Sequence, residues 1–178
     1  MYKTHVNRKG ISPVIATVII VAVTITVAIA ISLWMGGIAG LYTRFEKLEI
    51  IYSTVAWDDT GKYWTVTLKV KNTGSADTKI DDILLNGVTI KDVYNTTSTK
   101  KYYAQLNYSN GPLSPIAPKD QGVSSISIPL NSGSEIYIVL TIPENAKMGS
   151  STATSGLSLE LKLHTSGGKE YPKILTLP

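Results

Sequence analysis

Hydrophobic residues in this chain follow two regimes. From Ile11 to Thr43 no charged residue interrupts a run built mainly of Val, Ile, Ala and Thr. As a helix, that stretch would be about 50 Å long at 1.5 Å per residue, against about 30 Å of hydrocarbon in a bilayer. Within Val14 to Ile31, fourteen of 18 residues are Val, Ile or Thr, which favour strands in water. In an apolar medium, however, a single segment satisfies its own backbone N–H and C=O groups only as a helix. Environment therefore overrides propensity, and the pattern predicts a helix within residues 11–47. No polar face runs along it, so it is expected to be buried on all sides. Because it is longer than lipid requires, other copies of the chain are expected to cover part of it.

From Leu48 onward the period becomes two. Leu48 to Trp57 and Tyr63 to Lys71 alternate, and YWTVTLKVK is the clearest strand. Asn72-Thr73-Gly74-Ser75 reads as a turn, and Asn86-Gly87 inside ILLNGVTI is a strong hairpin signal. Further strands are predicted at Lys100 to Tyr108, Gly122 to Leu130, Ser134 to Ile142, Gly156 to His164 and Tyr171 to Leu177. Asn110 to Gly122, with three prolines, reads as loop. The expected fold is α+β: a long N-terminal hydrophobic α-helix, then an antiparallel, immunoglobulin-like β-sandwich over 48–178.

Helix–helix contacts in apolar surroundings rely on small and hydroxylated residues, because burial of apolar surface supplies no gradient there. The candidates are Pro13 in the first turn, Ala16, Thr17, Thr24, Ala28 and Ser32, then Gly36 and Gly37. Thr17, Thr24 and Ser32 share a face, and Ala22 and Ala30 also keep the surface narrow. Gly36, Gly37 and Gly40 mark either close approach of a neighbour or a bend.

The net charge of +4 suggests nucleic-acid binding only until its position is considered. Lys3, Arg8 and Lys9 lie in a ten-residue opening without Asp or Glu; after it, 14 basic residues face 13 acidic ones with no basic stripe. No nucleic-acid partner is expected. The chain has no cysteine, which excludes disulfides, thiol nucleophiles and cysteine-bound metals. Tyrosine (10) far outnumbers phenylalanine (1), as suits surfaces that are part wet and part packed.

Residues 1–10 read as a leader, but not as a secretory signal, whose apolar stretch is 7–15 residues long with a cleavage site after it. Here the plausible cut precedes the apolar run, between Gly10 and Ile11, and leaves the helix on the mature protein. The opening Arg8-Lys9-Gly10-Ile11-Ser12-Pro13-Val14-Ile15-Ala16-Thr17-Val18 resembles the start of an archaeal type IV pilin precursor. The passage VKNTGSADTKIDDILLNG is similar to one found in archaeal surface β-sandwiches, including pilins and archaellins. Bacterial type IV pilins usually carry glutamate at the fifth mature position; here it is Ile15, which favours the archaeal branch.

The resemblance implies a subunit of a helical surface filament, polymerising with many copies of itself. It implies a membrane-inserted precursor, a prepilin peptidase acting at Arg8, Lys9, Gly10 and Ile11, and an assembly machinery. Residues 11–47 would form the filament core and 48–178 its exterior, with adhesion as the inherited role. Two alternatives stand beside it: an archaellin of a motility filament, or a surface binding protein held by one transmembrane helix.

No enzyme constellation is apparent, and no cofactor or metal is expected. His5 lies in the leader and His164 in a predicted strand. Asp58-Asp59 and Asp81-Asp82 read as solvated turn carboxylates, with no spacing like a calcium loop. Asn95-Thr96-Thr97 and Asn107-Tyr108-Ser109 match the N-glycan acceptor triplet, making Asn95 and Asn107 glycosylation candidates.

Overall fold

The computed structural model describes residues 12–97 and 100–178. It forms two compact units, Met1–Thr43 and Arg44–Pro178. The leader residues Arg8, Lys9 and Gly10, and Ile11 after them, lie outside the described residues.

In the first unit, α1 spans Pro13–Tyr42 without a break. Pro13 stands at its start, where a missing N–H leaves no bond unmade. The helix closes at Thr43, whose N–H donates to the Ala39 carbonyl and whose hydroxyl donates to that of Gly40. It therefore ends before the charged residues Arg44, Glu46 and Lys47, five residues short of the region assigned to it by sequence. The glycines at 36, 37 and 40 do not stop it: backbone hydrogen bonding outweighs glycine's flexibility over so short a stretch.

The second unit is built from antiparallel pairs. One sheet has the order β1-β2-β9-β7, from Leu48–Asp58, Tyr63–Asn72, Glu135–Pro143 and Gln105–Ser109. The facing sheet has the order β13-β12-β3-β4, from Glu170–Thr176, Ser158–Thr165, Thr78–Leu85 and Val88–Thr89; β8 (Ile128–Leu130) also pairs with β3. Alternate residues of the two sheets meet in one core. Trp64, Val66, Leu68 and Val70 of β2 and Ile136, Ile138, Leu140 and Ile142 of β9 face inward with Ile80, Ile83 and Leu85 of β3. Leu159, Leu161 and Leu163 of β12 complete it.

A small third sheet, β11-β10-β5-β6, comes from Ser151–Thr152, Lys147–Met148, Tyr94–Thr97 and Lys100–Tyr103. The single strand expected over Lys100 to Tyr108 is divided at the buried Ala104, and its halves join different sheets. The strand expected over Gly122 to Leu130 is ordered as strand only at its end, β8. From Val139 onward the outer face of β9 is also buried, and the Thr141 hydroxyl there donates to the Ile116 carbonyl in the proline-rich loop.

Both long edges are modified. β1 carries a bulge between Ile50 and Tyr52, and β13, paired with β12 alone, contains Pro172.

The start of the sandwich is fastened by backbone bonds. The N–H groups of Thr73 and Gly74 donate to the Lys47 carbonyl, and those of Ser75 and Ala76 donate to that of Phe45. Asn72, fully buried, organises this turn. Its amide nitrogen donates to the carbonyls of Ala76 (2.8 Å) and Leu130 (3.1 Å), and its amide oxygen accepts from the Gly74 N–H (3.0 Å). A Cβ on Gly74 would lie 2.5 Å from the Phe45 carbonyl oxygen, so only glycine fits beside the incoming chain.

Candidate functional site

The feature with the greatest functional content is the surface of α1. Pro13 to Gly40 forms an apolar span long enough to cross a membrane, and none of it is buried within the chain. Leu33 is 74% and Trp34 67% exposed, values that no soluble monomer sustains along a whole helix.

The sequence-chosen packing residues fall on this surface in a definite arrangement. At about 100° per residue, Pro13, Thr17, Thr24, Ala28 and Ser32 lie along one stripe, with Gly36 just beyond its edge. Ala16 and Gly37 lie on other faces. Added Cβ atoms at Gly36, Gly37 and Gly40 would meet nothing within 4 Å, so contacts inside the described chain do not explain these glycines.

The threonine hydroxyls are already engaged. Thr17 donates to the Val14 carbonyl (2.8 Å), Thr24 to those of Ile20 and Val21 (both 2.9 Å), and Thr26 to that of Ala22 (2.8 Å). Backbone satisfaction of this kind is what makes threonine tolerable in an apolar helix. The threonines of the stripe thus offer a neighbour methyl groups and small volume rather than free donors.

On the sandwich, the acidic pairs serve local structure. Asp58 accepts from the Gly61 N–H at 2.8 Å, which holds its carboxyl below the ordinary range, and the Tyr63 hydroxyl adds to the effect. Asp59 pairs with Lys62 at 2.7 Å. Asp82 accepts from the Ile83 N–H and the Thr89 hydroxyl. Among the described residues no group of His, Asp and Glu could hold a metal.

Asp81 meets His164 Nδ1 at 2.7 Å, and this hydrogen bond raises the imidazole above its usual 6.5. A raised folded value means the pair stabilises the fold fully below pH 6.5 and loses that contribution as pH climbs through the folded value. Asp81→Asn is expected to bring the His164 titration back toward 6.5 and to remove the extra stability on the acidic side; proton NMR of the ring checks the first and thermal melts at several pH values the second.

Asn95 lies half-exposed on β5 and Asn107 half-exposed on β7, which pairs with β9 alone. The Asn107 side-chain oxygen accepts from the next residue's N–H, that of Tyr108, at 3.0 Å. Sequence reasoning missed the aromatic cluster at the opposite end of β1 from Leu48, where Trp57 and Trp64 lie 4.7 Å apart between ring centres. The tryptophans face each other in the β1–β2 register, and alternation alone did not mark them.

No family model matches the chain, and no curated protein matches it. In structure it is similar to the Iho670 flagellar-like filament, at a TM-score of 0.42 and 15% identity, covering 93% of this chain and 98% of that one. It is also similar to the archaellum periplasmic stator protein FlaG from Sulfolobus acidocaldarius, at 0.40 and 18%, covering 74% of this chain and 100% of that one. A third similarity, to the β-glucosidase DesR from Streptomyces venezuelae, has a TM-score of 0.33 and 16% identity, and covers 75% of this chain but 15% of that one. These are likenesses of fold.

Proposed function

We propose that the chain is a structural subunit of an archaeal type IV pilus-like surface filament, which polymerises through its N-terminal helices and serves adhesion. One observation carries this reading: a 30-residue apolar helix, about 45 Å long, of which the span Pro13 to Gly40 is nowhere buried within its own chain. About 20 residues suffice to cross a bilayer. The surplus needs cover that lipid does not give, and bundled copies of the same helix provide it along the full length.

The opening Arg8-Lys9-Gly10-Ile11-Ser12-Pro13 supports the associated processing. The precursor waits in the membrane, a prepilin peptidase cuts between Gly10 and Ile11, and an assembly machinery moves the subunit into the filament. Residues 11–47 then belong to the core and the sandwich to the outside. Transfer from lipid to a bundle exchanges one apolar medium for another, so close packing at the small-residue stripe supplies the preference. The role is structural rather than catalytic, and Asn95 and Asn107 are acceptors for N-glycans on the outer domain.

Co-expression with a prepilin peptidase and N-terminal sequencing tests the processing. Ile11 is expected as the first residue; a chain beginning at Met1 would reject this cut. Electron microscopy of the surface fraction tests the polymer, and material that stays as single lipid-bound molecules would reject it.

A further inference from the structure

The Trp57–Trp64 end of the sandwich holds a cleft, apart from the helix to which the proposed assembly is assigned. It has a volume of about 280 Å³ and is lined by Trp57, Trp64, Glu144, Asn145, Thr154 and Ser155. A second depression of about 370 Å³ adjoins it on the other side of Glu144, with Tyr63, Tyr102, Asn95 and Pro118 in its walls. Both lie at the end of the sheet reached by eleven-residue β1, about 33 Å from Leu48 where the chain joins the domain. We propose that these two depressions form one binding site for a neutral saccharide, with a pyranose ring in each half and Glu144 between them.

The chemistry of the lining selects this class. A sugar ring presents an apolar C–H face and a rim of hydroxyls, each both donor and acceptor. Flat aromatic surface answers the first requirement, and Trp57 supplies it in one half and Tyr102 in the other. Amides and hydroxyls answer the second because they too both donate and accept, as do Asn145, Thr154 and Ser155 in one half and the Tyr102 hydroxyl in the other. An apolar cleft with a few convergent polar groups is the usual form of a small-ligand site.

Two features hold the platform ready. The Lys62 ammonium, held by its ion pair with Asp59, lies 5.9 Å from the centre of the Trp57 ring, and Trp57 packs on Trp64 at 4.7 Å between ring centres. Trp64 is 3% exposed and its indole N–H donates to the Pro178 carbonyl, so it forms a fixed wall. A platform immobilised before binding loses little freedom on binding. Charge argues against an acidic ligand: Lys62 is the one basic residue in either lining, it is already paired, and Glu144 stands between the halves.

The site belongs to the sandwich, so the test does not depend on polymerisation. The full chain carrying Trp34→Phe, in a zwitterionic detergent without a sugar headgroup, leaves Trp57 and Trp64 as the only fluorophores of their kind. Titration with cellobiose, lactose and mannobiose is expected to give a saturable emission shift for at least one, with a dissociation constant on the order of 1 mM. Ser155→Tyr, which fills the cleft from the loop side without adding an indole, and Trp57→Ala are each expected to weaken binding about tenfold or more. Ser155→Tyr keeps the test open if Trp57→Ala does not fold. No saturable response to any of the three sugars up to about 50 mM, or a response unchanged by Ser155→Tyr, would overturn the site. So would saturable binding of a proline-rich peptide with none of the sugars.

Discussion

Replacing Ala28 with aspartate is expected to abolish filaments while the sandwich melts at its original temperature. Ala28 lies exposed on the stripe of small residues, and nothing along the helix could pair a carboxylate: residues 14–43 hold no charge. In the bundle the new charge would be buried without a partner, at a cost of about 3–5 kcal/mol per subunit. Each 1.4 kcal/mol is tenfold in an equilibrium, so the concentration needed for assembly should rise at least a hundredfold, to about the point of no detectable fibre. The readout is sedimentation and electron microscopy of fibres, beside a circular-dichroism melt of the detergent-solubilised chain. Aspartate would also hinder membrane insertion by about 2.5–3.5 kcal/mol. Gly36→Leu separates the two effects, because it stays apolar and enters lipid freely. If close approach at Gly36 matters, this variant accumulates in the membrane and fails to assemble; normal fibres from both variants would reject a bundled helix.

The second large effect is expected at Asn72. Asn72→Ala removes three hydrogen bonds in a site with no exposed surface, and leaves the carbonyls of Ala76 and Leu130 and the N–H of Gly74 without that partner. A buried polar group left unmatched costs about 1–3 kcal/mol. The Ala76 and Gly74 groups lie beside incoming chain and can find partial replacement, so a loss of about 3 kcal/mol is expected in all. For a domain of this size that lowers the melting temperature by about 10 °C. Thermal unfolding followed by circular dichroism checks it, and a fall of less than about 2 °C would mean the turn is held by Phe45 and Lys47 alone.

Much of this architecture was legible in the residues because single physical rules dominate it. An uncharged run of 33 residues allows only a helix in an apolar setting, and α1 runs from Pro13 to Tyr42 as that rule requires. Alternation in YWTVTLKVK placed β2, where every second side chain from Trp64 to Val70 is buried, and Asn86-Gly87 placed the β3–β4 hairpin. What escaped the sequence was decided at a distance. Nothing local divides Lys100 to Tyr108 into strands of two sheets; that depends on β5 claiming one half and β9 the other. The two-residue strands β10 and β11 have no periodicity to read. On the helix, the small residues were visible, but the engagement of the threonine hydroxyls with their own backbone was not, and it changes what the stripe can offer. The Asn72 turn was recognised as a turn, and its Gly74 was not seen as the point of closest approach. The Trp57–Trp64 cleft needed the loop at 143–146, the loop at 153–156 and residue 178 in one place, a convergence no linear pattern records.

The bulge in β1 and the proline in β13 matter most where domains crowd together. A row of unpaired strand groups invites another molecule's strand to zip onto it, and the risk grows with local concentration. At Ile50 to Tyr52 the bulge breaks the even spacing such a visitor would need, and Pro172 withdraws a donor from the other rim. In the proposed filament, sandwiches packed side by side in very large numbers can therefore stay separate bodies, and cohesion between subunits is left to the helices.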